Sequence, residues 1–119
     1  METFNDLIGK TLASITNKDN EELIFVLDDG SKYRLYHDQD CCENVTIVDI
    51  DGDLNDLVGS PILQADESTN TEDTFGEIEY PDSFTWTFYK LATIKGYVTV
   101  RWLGESNGYY SEDVDFCKV

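Results

Sequence analysis

The stretch FTWTFYKLATIKGYVTVRWLGESNG, residues 84–108, decides the fold. Phe84, Trp86 and Phe88 alternate with Thr85, Thr87 and Tyr89, and Val98, Val100 and Trp102 alternate with Thr99 and Arg101. A period of two places successive side chains on opposite faces of a strand. Thr93-Ile94-Lys95-Gly96 turns the chain between the two runs, and Ser106-Asn107-Gly108 is a second hairpin turn. Tyr109 to Phe116 is expected to return as the third strand of a meander.

The same grammar extends towards the N-terminus. Thr11 to Thr16 reads as a strand ending at the turn-like NKDN, and Leu23 to Leu27 is a continuous apolar run typical of a buried strand. Asp28-Asp29-Gly30-Ser31 has hairpin-turn chemistry, and Lys32 to His37 returns as the partner strand. Val45 to Ile50 is another strand, and Ile62 to Ala65 a short one. Phe4, Leu7 and Ile8 fit one helical turn stopped by Gly9, and Asp53 to Leu57 fit a second closed by Gly59. Residues 66–82, with seven acidic side chains and no clear period, read as a long surface loop with a strand at 76–80. These elements predict a mostly β fold. Its antiparallel meander sheets would form a small half-barrel or sandwich, with one or two short helical turns. At 119 residues the chain is expected to form a single acidic domain.

Charge dominates the composition. Eight basic residues stand against twenty-five acidic ones, a formal charge of −17. From 35 to 89 there is no lysine or arginine, while that window holds fourteen Asp and Glu. Such a field repels nucleic acid and anionic membrane and attracts basic protein surfaces. No run of about eighteen apolar residues exists to span a membrane. The opening METFNDLIGK has neither a basic nor an apolar signal region, which predicts a cytosolic protein. Cys41 and Cys42 are adjacent, and neighbours in an extended strand point apart, so the three cysteines are expected to be reduced.

HDQDCCE, residues 37–43, collects the only histidine and two of the cysteines. His37, Cys41 and Cys42 are zinc-ligand types, but they form one run, whereas structural zinc sites usually draw on two separated pairs. A Cys–His nucleophile would need positive charge beside the thiol, and the neighbours are acidic. The plainer reading is a strand end at His37, an exposed turn at Asp38 to Asp40, and one cysteine packed inward. Asp49-Ile-Asp51-Gly-Asp53 evokes a calcium loop, but its glycine stands two places early, and Ser60 occupies the position of the closing glutamate. No phosphate loop, nucleophile elbow or cofactor motif is present, so the chain reads as non-enzymatic and cofactor-free. Trp86, Phe88, Tyr89, Trp102, Tyr109 and Tyr110 could stack a ligand, but at period two such residues are mostly packing. Among them the tyrosines Tyr89, Tyr109 and Tyr110 are expected at the surface.

The segments LIGKTL, SKYRLYHDQDCCENVTIVDIDGDLNDLVGSPI and SFTWTFYKLATIKGYVTVRWLGESNGYYSEDVDF resemble an uncharacterised family of small acidic domains found mostly in bacteriophage genomes. The resemblance covers nearly the whole chain and carries no catalytic residue with it. It implies a phage accessory protein acting in the cytoplasm of the bacterial host. Small acidic phage proteins resemble inhibitors of host defence, of anti-CRISPR or anti-restriction type. On that footing the expected partner is the basic surface of a host protein or nucleoprotein complex, bound without direct contact to nucleic acid or membrane. Asp38, Asp40, Asp49, Asp51, Asp53, Asp56, Glu72, Asp73, Glu77 and Glu79 are the candidate contact residues, arranged as a mimic of the phosphate track of DNA. Two alternatives stand beside this reading. One is a small-ligand or metal-binding protein with His37 to Glu43 as its mouth; the other is a structural or assembly component of the phage.

Overall fold

The computed structural model describes residues 3–71 and 83–119. The described residues form two antiparallel sheets of four strands. The first contains β1 (Leu12–Lys18), β2 (Glu22–Leu27), β3 (Lys32–Tyr36) and β8 (Asp115–Lys118), in the order β1-β2-β3-β8. The second contains β4 (Asn44–Asp51), β5 (Gln64–Asn70), β6 (Ser83–Thr93) and β7 (Gly96–Ser106), in the order β4-β7-β6-β5. Two 3-10 turns, Phe4–Leu7 and Leu54–Leu57, are the helical elements of the described chain. Neither sheet closes on itself. The mostly β architecture is the one the alternating runs predict.

Alternation builds the core. Leu23, Phe25 and Leu27 on β2 and Leu35 on β3 are buried in the first sheet. Ile47, Leu91, Val98, Val100 and Trp102 are buried in the second, and all of these residues belong to one hydrophobic cluster. Phe4 bridges the sheets, its ring 6.3 Å from Phe25, 4.7 Å from Tyr89 and 5.5 Å from Phe116. Burying such side chains contributes about 1.5–3 kcal/mol each, which is why the 3-10 turn that delivers Phe4 is retained despite its four-residue length.

Two elements depart from the sequence expectation. Residues 64–70 form β5 along β6, so the acidic segment begins as an edge strand rather than a loop. Its alternation is hidden because Ala65 is its one buried residue, and polar side chains cover the rest. The expected strand at 76–80 lies outside the described residues. The third strand of the meander is also absent: after Ser106 the chain leaves the second sheet, and β8 pairs with β3. The β4–β7 pairing fills the edge of β7 that a meander would have used.

Candidate functional site

The two sheets are joined at a corner. The connection from β3 to β4, residues 37–43, runs from the first sheet to the second, and the connection from β7 to β8, residues 107–114, runs back. Both pass the same place, because β3 pairs with β8 and β4 pairs with β7. HDQDCCE is the first of these connections.

Its buried members are His37 and Glu43, whose side chains are 4% and 0% exposed. Nδ1 of His37 lies 2.6 Å from the carbonyl oxygen of Asp113, on the other connection, and Nε2 lies 2.9 Å from Oε2 of Glu43. Glu43 also accepts the backbone N–H of Asp40 at 3.0 Å and of Cys41 at 2.8 Å, and the side-chain amide of Gln39 at 3.1 Å. The carboxylate therefore shapes the whole turn. Burial raises the Glu43 pKa, but the bonds from His37, Asp40 and Cys41 outweigh it and bring the group from 4.5 down to about 2. Burial likewise disfavours the charged imidazole, but the bonds to Asp113 and Glu43, with the charges of Glu43 and Asp115, raise His37 above its ordinary 6.5.

A second buried carboxylate holds the other connection. Glu112 accepts the hydroxyls of Thr85 on β6 at 2.7 Å and of Ser106 at the end of β7 at 2.5 Å. Sequence reasoning missed both acids as structural groups. The available signal was position: each lies where a chain leaves one sheet for the other, among small hydroxyl or amide side chains.

The cysteines and one tyrosine differ from expectation. Cys41 and Cys42 are joined by a disulfide, and both are exposed, so neither thiol packs inward. They sit in a bend rather than an extended strand, which removes the reason for their side chains to diverge. Cys117, half-buried on β8, is a free thiol. The ring nitrogens of His37 and the oxygens of Glu43 are committed to the corner, so His37, Cys41 and Cys42 do not converge on a metal position. Among the described residues no group of three or more His, Cys, Asp or Glu is placed to hold one. Tyr89 is fully buried, because it shares the inner face with Leu91 and its hydroxyl donates to Glu67 at 2.6 Å. Tyr109 is exposed, as expected.

The acidic residues are distributed unevenly. Asp38 and Asp40 are exposed on the corner, where Asp115, remote in sequence, lines the same hollow with Ser111. Asp49 and Asp51 point outward from β4, an edge strand of the second sheet. A bulge between Ile47 and Asp49 makes this possible: it interrupts the alternation, so Ile47 faces the core and Asp49 faces out opposite Arg101. The Arg101 guanidinium is 3.9 Å from Asp49. Asp53 has left the strand and caps the second 3-10 turn, its side chain accepting the Asn55 N–H at 2.9 Å. Asp56, within that turn, accepts the Thr93 hydroxyl at its backbone carbonyl. Glu72, Asp73, Glu77 and Glu79 lie outside the described residues.

The sheets carry opposite charge balances. Strands of the first hold Lys18, Lys32, Arg34 and Lys118 against Glu22 and Asp115. Strands of the second hold Lys90 and Arg101 against Asp49, Asp51, Asp66, Glu67 and Glu105. The negative charge is thus concentrated on one sheet and on the connections. Among the described residues no helix is long and apolar enough to cross a membrane.

These features define a two-sheet β protein whose connections are fixed by buried carboxylates and whose acidic side follows one sheet. Residues 5–116 match a family described as a domain of unknown function (DUF7448), and the chain belongs to that family. No curated protein and no solved structure is significantly similar to it.

Proposed function

We propose that this is a non-enzymatic, phage-encoded accessory protein. In the cytoplasm of the bacterial host it binds the basic surface of a nucleic-acid-handling or defence complex and inhibits it, as an anti-CRISPR or anti-restriction protein would. The observation that carries the reading is the charge: −17 overall, with no lysine or arginine from 35 to 89. The polarity of the two sheets supports it, because a one-sided field orients the protein as it approaches a basic partner. Asp38 and Asp40 lie at the corner before β4, Asp49 and Asp51 along this edge strand, and Asp53 just after it, while Asp56 lies against the β6–β7 turn. The eight residues of β4 span roughly 25 Å at 3.3–3.4 Å per residue. Duplex DNA carries about one charge per 1.7 Å of axis. One strand cannot reproduce that density, so the mimicry draws on the neighbouring connections as well.

The test is capture of host proteins from a bacterial lysate on the tagged protein, washed at low and at high salt. A nuclease or other DNA-binding complex retained at low salt and released at high salt is the expected result. The matched variant is Asp38→Lys, Asp40→Lys and Asp51→Lys with Asp53→Asn and Asp56→Asn, where asparagine keeps the capping oxygen at 53. Equal capture by this variant and the parent would overturn the reading.

A further inference from the structure

His37 meets a hydrogen-bond acceptor at each ring nitrogen: the Asp113 carbonyl at Nδ1 and the Glu43 carboxylate at Nε2. A neutral imidazole has one N–H and can satisfy only one of them. Moving a proton to Glu43 is disfavoured, because that carboxylate already accepts N–H groups from Gln39, Asp40 and Cys41, which stabilise its ionised form. We infer that His37 is a proton-operated latch: as an imidazolium it ties the β3–β4 connection to the β7–β8 connection, and on losing one proton it releases the Asp113 carbonyl.

The release falls on Asp113 for a physical reason. The bond to Glu43 is charge-assisted and lies in a fully buried position, so the neutral ring keeps its remaining proton there. The Asp113 residue is exposed, and its freed carbonyl can turn to water. The charged groups around the imidazole agree with a retained proton. Glu43, Asp38 and Asp40 surround it on its own connection, and Asp113 and Asp115 face it from the other. Beside it, the hollow towards the β1–β2 turn holds Lys18, Asp19, Glu21, Glu22, Arg34 and Tyr36. Lys18 and Arg34 act against the proton, but Arg34 is paired with Glu22 at 2.7 Å. The carboxylates, lysine, arginine and tyrosine lining these hollows ordinarily keep their charge states between pH 6 and 9, so among the groups around it the imidazole is the one that switches there.

The direction follows from linkage. Because the folded state raises the His37 pKa, the stabilisation is complete below pH 6.5 and disappears as pH rises through the folded value. The chain has a single histidine, so ring-nitrogen NMR of the full protein reads this group directly. We expect a titration midpoint above 6.5, with both nitrogens protonated below it. Amide exchange, corrected for the intrinsic rate, should lose protection in residues 107–114 above that midpoint, by at most about tenfold per pH unit, the limit for one proton. A midpoint at or below 6.5, or constant protection of 107–114 from pH 6 to 9, overturns the latch. His37→Gln carries a non-titrating donor, so its protection there should not vary with pH. A pH dependence that persists in this variant also overturns it. If the variant fails to fold, the parent's NMR midpoint and exchange profile still decide the matter.

Discussion

Gly104 on β7 and Glu112 in the following connection touch through their backbones. A Cβ at position 104 would lie 2.7 Å from the Glu112 carbonyl oxygen and 2.8 Å from its Cβ. The connection can lie down on the sheet, and reach Thr85 and Ser106 with its carboxylate, because position 104 has no side chain. Gly104→Ala should therefore lift the connection and destabilise the protein by about 1–3 kcal/mol, the range for overpacked sites. Urea unfolding measures this; a change under about 0.5 kcal/mol would mean that the connection yields without cost.

Tyr89→Phe removes a buried hydroxyl that donates to Glu67. A hydrogen bond to a charged group is worth about 1.5–3 kcal/mol net, and the loss should fall at the lower end because Glu67 can turn towards water. Burial first, then the bond and charge of Glu67, raise the phenol above its ordinary 10. That contribution is present below pH 10 and is lost as the pH climbs beyond it. Ultraviolet titration of the folded protein should leave at least one tyrosine un-ionised until unfolding. Seven tyrosines ionising together near pH 10 would contradict the buried placement.

Glu43→Gln should change the acid limb of the stability curve. The folded pKa of about 2 lies below the ordinary 4.5, so this carboxylate stabilises the protein fully above pH 4.5 and progressively less as pH falls towards 2. The difference in denaturation midpoint between parent and variant should be constant from pH 5 to 6.5, shrink below pH 5, and shrink again as His37 loses its proton at higher pH. The variant should also lower the His37 titration midpoint, since an ionic partner is lost. A midpoint unchanged by the substitution would show that the pair does not interact in solution.

Thiol titration of the native protein should find one free thiol, Cys117, with slow reactivity from its half-buried position. Full reduction should raise the count to three. Three thiols before reduction would restore the expectation of reduced cysteines that adjacency in the sequence suggested.

The strands of the long hairpin were legible because residues 84–103 alternate with few exceptions, and a half-buried sheet requires that alternation. The acidic field was equally legible, since formal charge needs no coordinates. The destination of the last strand was not. Tyr109 to Phe116 follows a turn signal, and local patterning cannot distinguish a hairpin return from a connection crossing to another sheet. HDQDCCE showed the same limit. Its residue types suggested ligands, but their role depended on Asp113, seventy-six positions away from His37.

Sequence alone determined where the alternating apolar strands lie, the acidic β5 and the short β8 excepted, and how much negative charge the chain carries, because both follow from the identities of near neighbours. Tertiary structure decided which strands pair, that Glu43 and Glu112 turn inward while Asp49 turns outward, and that one histidine joins two distant connections. Those outcomes depend on which sheet edges remain open and on which polar groups would otherwise be buried without partners, and both are properties of the assembled chain.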